Sequence, residues 1–263
     1  MTISQADLKR VRALHEKKFR KESKRFLVQG RKVVAELLGS SWRTEAIFAS
    51  EEGASFVRAA AAKNKVPVHV GASHELDKIG TFETGNELVA VAIAPDQPKF
   101  RAPVGHELML ALDGIRDPRN MGSLLRIADW FGVTHVLCSP DCMEIYNPKV
   151  VQSTMGSLFR VQVRYANLGA ELSQCKAAGA TVYLASMDGA PVFGVNLTRP
   201  AVLVLGSESH GLSEALRAEN ATVIAIPRVG HAESLNVAMA ASALCTEFTR
   251  QATLLTPGAE ARR

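Results

Sequence analysis

The sequence predicts an α/β protein whose second half is built on a parallel sheet with helices on both faces. Three observations carry that expectation. Apolar runs of strand length alternate with amphipathic runs of helix length along nearly all of the chain from residue 26. The runs VLVLG (202–206) and VIAIP (223–227) are almost continuously apolar, as strands buried on both faces must be. The alternation is interrupted at APDQPKFRAPVGHE (94–107), where three prolines and mixed charge break both periods. The expected organisation is therefore a first domain over 1–95, a linker over 96–107 and a second domain over 108–263.

In chain order, FLVQG (26–30) reads as a strand, RKVVAELLG (31–39) as a helix, TEAIFAS (44–50) as a strand and EEGASFVRAAAAKN (51–64) as a helix. VPVHVG (66–71), a short helix over SHELDKIG (73–80) and the strand LVAVAIA (88–94) complete the first domain. In the second, the strands LMLALDG (108–114), HVLCS (135–139), RVQVRYA (160–166), TVYLAS (181–186), AVLVLG (201–206) and TVIAIP (222–227) alternate with helices. Those helices are MGSLLRIADWFG (121–132), PKVVQSTMGSLF (148–159), LGAELSQCKAAG (168–179), SEALRAE (213–219) and SLNVAMAASALCTEFTRQ (234–251). In an open parallel sheet ligands bind beyond the carboxyl ends of the strands, so the loops after LALDG, LVLG and IAIP are where chemistry is expected.

At 263 residues, 47% apolar and 22% charged, the composition is that of a folded globular chain rather than a disordered one. The first twenty residues hold no apolar signal core, and no segment approaches the roughly 18 apolar residues that span a bilayer. A soluble, cytoplasmic protein is expected. Cys138, Cys142, Cys175 and Cys245 show no CxxC spacing and the seven histidines form no ligand cluster, so reduced thiols and no metal are expected.

The net charge of +5 is unevenly distributed. Residues 1–32 hold eleven Lys or Arg against three Asp or Glu, a local +8, so the other 231 residues sum to −3. Such an arm fits a polyanion binder, since phosphate contacts supply affinity independent of sequence, and a solvated helix face explains the same run equally well. Arg20, Lys21, Lys24, Arg25, Arg31 and Lys32 are the candidate contacts to such a polyanion. Phe19 and Phe26 are interleaved with these cations, and the FLV run at 26–28 favours a core strand over a base-stacking platform.

No GxGxxG, GxxxxGK[ST] or GxSxG occurs, which disfavours dinucleotide-binding, P-loop and serine-hydrolase readings. Three strand-end loops remain. In DGIRDPRNMGSLLRIADWFGV (113–133), Asp117-Pro118 makes a turn, Asn120 stands at a helix entrance and Arg126 follows on the helix. In LVLGSESHGLSEAL (203–216), Gly206 ends a buried strand and Glu208 enters a polar turn, where a carboxylate also favours the next helix dipole. In IPRVGHAESLNVAMAASAL (226–244), a long join separates strand from helix, with Ser234 as the expected N-cap. Taken singly, each feature reads as well as a capped helix start.

Together, DPRNMGSLLRIADWFGV, LVLGSESHGLS and IPRVGHAESLNVAMAASAL closely resemble the three signature motifs of the SpoU/TrmH family of the SPOUT superfamily of RNA methyltransferases. The intervening YNPKVVQSTMGSLFRVQV also resembles the family's pattern, and KRFLVQGRKVVAELL resembles its appended RNA-binding domain, a small ribosomal-protein-like α/β unit. The resemblance implies a deep C-terminal trefoil knot, a homodimer, and transfer of the methyl group of S-adenosylmethionine (SAM) to a ribose 2′-hydroxyl. It places SAM contacts at Gly206, Ile226 and Leu235, with Leu205, Pro227, Gly230 and Val237 in the same pocket. Asn120, Arg126, Glu208, Ser234 and Asn236 match the family's polar functional positions. A guanidinium is always protonated, which favours an anchoring role for Arg126 over general-base action, with Asn236 and Ser234 orienting the nucleophile. The chain departs from the pattern at Gln29, where Glu is usual, and at Gln152, where many relatives have Arg. His231 and Glu233 lie in the variable part of the third motif, where His231 reads as a loop residue.

The expected target is 23S ribosomal RNA. The other readings are a tRNA 2′-O-methyltransferase, a SAM-dependent enzyme modifying a base, and a non-catalytic RNA-binding or ribosome-assembly factor. The joint presence of Arg126, Glu208 and Asn236 argues against the last, because a pure binder needs no transfer site.

Overall fold

Ahead of the first expected strand the chain already forms two helices, concealed in the sequence by their charge. Ser4 caps α1 (Gln5–Ala13) in a capping box, its hydroxyl accepting from the Asp7 N–H while the Asp7 carboxylate accepts from the Ser4 N–H. Leu8 and Val11 bury one face of this helix. A second helix, α2 (Lys17–Ser23), ends where Lys24 turns left-handed at φ 52°. Then follow β1 (Arg25–Gln29), α3 (Arg31–Gly39), β2 (Thr44–Ala49), α4 (Glu51–Lys63), β3 (Val68–Val70), α5 (Ser73–Ile79) and β4 (Leu88–Ile93), in the expected alternation. The sheet runs β1-β4-β2-β3 and is mixed: β4 lies antiparallel to β1 and β2, whereas β2 and β3 are parallel. Leu8, Val11 and Leu14 cover Leu27, Phe48, Val89 and Val91 of that sheet, which gives α1 an apolar reason to form.

The structure is a computed structural model that describes residues 2–82, 85–207, 210–218 and 220–254. The chain divides into two compact units, Met1–Asp96 with Glu144–Arg160, and Gln97–Met143 with Val161–Arg263. Residues 94–107 contain neither helix nor strand.

The second unit is built from β5 (Leu108–Asp113), α6 (Pro118–Trp130) and β6 (His135–Cys138) before the chain passes through α7 (Pro148–Ser153), which belongs to the first unit. It resumes with β7 (Gln162–Tyr165), α8 (Leu168–Ala177), β8 (Thr181–Pro191), β9 (Ala201–Gly206), α9 (Glu214–Arg217), β10 (Thr222–Ala225) and α10 (Val237–Leu254). All six strands are parallel, in the order β10-β8-β9-β5-β6-β7. Met109, Ala111, Val202 and Val204 face Leu168 and Leu172 of α8, Leu216 of α9 and Leu212 just before it. The alternate residues Leu110, Leu112, Leu203 and Leu205 are buried as well, so the opposite face is also covered, where α10 packs on β9 and on α6.

Several elements differ from their sequence reading. The helix α6 starts three residues early because Asp117 caps it, accepting from the N–H groups of Arg119 and Asn120, with Pro118 at the first helical position. The run 148–159 is broken: α7 stops at Ser153, Met155 and Gly156 take positive φ values of 51° and 99°, and a 3₁₀ turn covers Ser157–Phe159. This segment packs with the first unit, where Glu144 meets Arg20, the Tyr146 ring lies 4.8 Å from Phe26 and the Phe159 ring lies 5.4 Å from Trp42. The final helix begins at Val237, not at residue 234. Among the described residues no helix is long and apolar enough to cross a membrane.

Candidate functional site

The parallel sheet sends β5, β8, β9 and β10 toward one edge, and the loops leaving that edge build the site. Beyond β9, Ser207 and Gly211 exchange both backbone hydrogen bonds, at 3.0 and 2.8 Å, folding the loop back on itself. That fold requires glycine at 206, since a Cβ there would lie 2.3 Å from the Gly211 carbonyl carbon and 2.5 Å from the Leu212 nitrogen. The start of α9 is tied back to the end of β5, where the buried Asp113 carboxylate accepts from the Ser213 N–H at 2.7 Å.

Beyond β10 the chain takes its long join to α10. Among the described residues the backbone groups of 227–235 bond to no other backbone group, and a side-chain bond from Arg228 to the Ala232 carbonyl is the contact within the loop. Apart from the Ala232 carbonyl, these backbone groups are therefore open to solvent or a ligand. The join ends at Asn236, whose Oδ1 accepts from the N–H groups of Ala238 at 2.9 Å and Met239 at 3.4 Å. Asn236 is thus the cap of α10, in place of the expected Ser234. Its Nδ2 donates to Oδ1 of Asn120 at 3.0 Å. Asn120 sits in the first turn of α6, so this one side-chain bond holds two helix N-termini together. Each brings the positive end of a helix dipole to the junction.

Two cavities flank this junction. The larger, about 810 Å³, is lined by all seven positions expected to contact the cofactor: Leu205, Gly206, Ile226, Pro227, Gly230, Leu235 and Val237. Ser234 lines it too, and Ile224, Ala225 and Leu244 extend its apolar wall. The smaller, about 390 Å³, is lined by Asp113, Arg116, Asp117, Asn120 and Asp141, and shares Ser207, His210, Gly211 and Val237 with the larger. Asp141 accepts from Ser139 Oγ at 2.6 Å and from Arg116 at 2.9 Å, and these two partners hold its carboxyl below the usual carboxylate range. Asp113, Arg116, Asp141 and His210 escaped the sequence reading. The signal for Asp113 was present, because a carboxylate ending the fully apolar run LALD must find a hydrogen-bond partner once that strand is buried.

Other candidates stand apart. Arg126 lines neither cavity; it is exposed on α6, six residues past Asn120, and makes no hydrogen bond or ion pair with a described residue. Glu208 lies outside the described residues. His231 is exposed in the join. Among the described residues no group of three or more His, Cys, Asp or Glu is placed to hold a metal, and all four cysteines are free and buried.

The six candidate RNA contacts divide sharply. Arg20 is buried, its guanidinium bonded to Glu144 at 2.7 Å and to the carbonyls of Leu14 and His15, so it holds the fold together. Arg25 is paired with Glu45, Lys24 with Asp96 at 2.8 Å, and Arg31 with Glu87 at 2.7 Å and Glu52 at 3.3 Å. Only Lys21 and Lys32 of the six are exposed without a partner among the described residues. Gln29 is buried, joined to Asn86 and accepting from Thr81, while Gln152 is exposed.

Residues 107–246 match the model of the SpoU rRNA methylase family, and residues 5–90 match that of an MRM3-like substrate binding domain. The chain is 29% identical over 232 residues to the 23S rRNA (guanosine(2553)-2′-O)-methyltransferase RlmP of Bacillus subtilis, covering 88% of this chain and 91% of that one. It is 35% identical over 177 residues to the 23S rRNA (uridine(2479)-2′-O)-methyltransferase of Streptomyces viridochromogenes, covering 64% of this chain and 62% of that one. Among solved structures, the SpoU methyltransferase AviRb of Streptomyces viridochromogenes in complex with AdoMet superposes with a TM-score of 0.85 at 28% identity, covering 95% and 98% of the two chains.

Proposed function

The chain belongs to the SpoU rRNA methylase family, and from that premise we propose that it transfers the methyl group of SAM to a ribose 2′-hydroxyl of 23S ribosomal RNA. The observation that carries this reading is the shared cleft: seven positions drawn from two separate motifs line one apolar-walled cavity, directly beside the Asn120–Asn236 pair. The cleft suits the donor, whose flat adenine needs an apolar slot and whose polar groups can be met by the unengaged backbone of 227–235. When bound, SAM supplies an electrophilic methyl group on a sulfonium.

The work left to the protein is to align the ribose oxygen with that methyl and to help its proton leave. Asn236 and Asn120 hold each other at the junction of the two cavities, so their amides form a fixed wall against which the ribose is oriented. Ser234, on the lining of the larger cavity, is placed to act with them, and Glu208 completes the polar set by its position in the second motif. Arg126 anchors the RNA near the reacting hydroxyl and, as a permanent cation, stabilises the developing alkoxide.

A homodimer accounts for two exposed apolar side chains on helices that pack together, Trp130 of α6 at 84% exposure and Met239 of α10 at 66%. A knotted C-terminal chain and action in the cytoplasm complete the reading.

Incubation with methyl-labelled SAM and total RNA tests the proposal. Label recovered in dinucleotides that resist alkaline hydrolysis is the expected result, because a 2′-O-methyl group removes the nucleophile that cleaves the backbone. Label in alkali-sensitive mononucleotides would mean a modified base, and no label in RNA would leave a binding protein. Fractionating the RNA first separates ribosomal from transfer RNA as the target.

A further inference from the structure

Phe19 stands exposed beside a cleft that lies apart from the methyl-transfer site. Phe26, the other aromatic ring in the basic segment, is fully buried, but Phe19 is 40% exposed on α2, a helix of only two turns whose buried residue is Arg20. The Phe19 ring borders a cavity of about 500 Å³ within the first unit, floored by Val11, Leu14 and Val91, which are buried. Ala13, Ser23, Arg10, Arg25 and Glu22 complete its lining. Arg10 and Arg25 are both committed to Glu45, and Arg10 also to Asp7, so this set of four carries no net charge, and Ser23 Oγ donates to the Phe19 carbonyl.

The helices that border this cleft carry a different set of cations. Lys9 and Arg12 on α1 and Lys17, Lys18 and Lys21 on α2 are all exposed, and none bonds to or pairs with a described residue. Against these five, Glu16 and Glu22 are the acidic groups on α2 and its cap, and Asp7 on α1 is engaged with Ser4 and Arg10. An apolar slot with an aromatic wall and a cationic surround matches the chemistry of one ligand class. A nucleobase is flat and stacks on aromatic rings, while the phosphates on either side of it seek lysine and arginine.

We propose that the cleft between α1 and α2 captures an unstacked base of single-stranded RNA on Phe19, with Lys17, Lys18 and Lys21 contacting the flanking phosphates. This rests on the RNA-modifying reading above and deepens it, moving the RNA contacts of the first unit from β1 and α3 to the preceding helices. It also fixes what kind of RNA is held. A paired stem offers no free base to this slot, so the segment bound is a loop or other single strand.

The test compares the full-length protein with its variants, using a fluorescein-labelled single-stranded oligouridylate and, separately, a labelled RNA duplex. Phe19→Ala is expected to weaken single-strand binding about tenfold, the loss of one stacked base, and to leave duplex binding within about twofold. Phe19→Trp should restore the single-strand affinity. Replacing Lys17, Lys18 and Lys21 together by Ala should lower the slope of log affinity against log salt by about 2, at roughly 0.7 per phosphate contact. Thermal melting of Phe19→Ala checks that the first unit remains folded, and if it does not, Phe19→Leu, which keeps the apolar bulk without the ring, takes its place. Single-strand affinity unchanged by loss of the ring overturns the proposal, as does an equal loss for both RNAs. Failure of the unmodified protein to bind either RNA would instead count against the RNA-modifying reading itself.

Discussion

The cleft beyond β9 and β10 and the basic segment before β1 answer to the same sequence in opposite ways. In the cleft, all seven positions marked by the motifs line one cavity. In the basic segment, four of the six marked cations are spoken for by carboxylates or carbonyls. The contrast has a physical source. A glycine or apolar residue at the end of a buried strand acts through the place of its backbone, which the sheet fixes. A cation acts according to which carboxylate reaches it, and Glu144 reaches Arg20 from 124 residues away. Charge counted along the chain therefore overstates charge available to a ligand.

The largest test of the cleft side of this contrast is Arg126→Ala. Arg126 is unpaired among the described residues, so its loss should leave the fold and SAM affinity nearly unchanged. The methyl-transfer rate is expected to fall by about a hundredfold or more, in line with removal of a group that stabilises developing charge. Calorimetric SAM titration alongside single-turnover methylation separates the two effects, and near-normal turnover would remove Arg126 from the reaction.

On the basic side, Arg20→Ala should behave as a core mutation. It strands Glu144 and leaves two carbonyls without their donor, a loss of about 3 kcal/mol in the stability of the first unit. Thermal melting would register it, and RNA affinity measured on the folded fraction should not change. A drop in affinity without a drop in melting temperature would return Arg20 to the RNA surface.

How far the molecule was legible follows from the same distinction. The alternation of elements and the parallel sheet were readable because buried strands such as VLVLG declare themselves by composition. The helices α1 and α2 were hidden by their charge, although the Ser4-x-x-Asp7 capping box was in view. The break after α7 was not legible, since Met155 takes its left-handed conformation without any local signal in its side chain. At the site, the ends of buried strands pointed to the loops and the motif resemblance to the seven cleft positions, but the capping role of Asn236 followed from neither. Only the fold shows it capping α10 and gripping Asn120 across 116 residues.

That double role gives a smaller, discriminating prediction. Asn236→Ala removes both the cap and the link to Asn120, and should cost about 1 kcal/mol of stability along with a large loss of turnover. Ser234→Ala should leave stability unchanged, because Ser234 caps nothing, so any loss of activity in that variant is chemical. Equal melting temperatures for the two variants would reassign the cap.

The smallest expected effect cuts closest to the lesson about charge. If ion pairing is what withholds Lys24 from RNA, then Lys24→Ala should be nearly silent in RNA binding, whereas Asp96→Asn should strengthen it by freeing the ammonium. One added phosphate contact corresponds to a salt slope steeper by roughly 0.7 on single-stranded RNA. Lys24 holds the Asp96 carboxyl below its ordinary value by hydrogen bonding and charge, so the pair stays ionised on mild acidification. Mild acidification to about pH 5 should therefore not mimic Asp96→Asn, given an unperturbed Asp value near 3.9. Both partners are highly exposed, and exposed pairs are weak, about 0–1 kcal/mol. A Lys24→Ala variant that weakens RNA binding as much as Lys21→Ala would show that a pair of this strength opens readily to phosphate, and that only the buried pairing of Arg20 withdraws a cation from the surface.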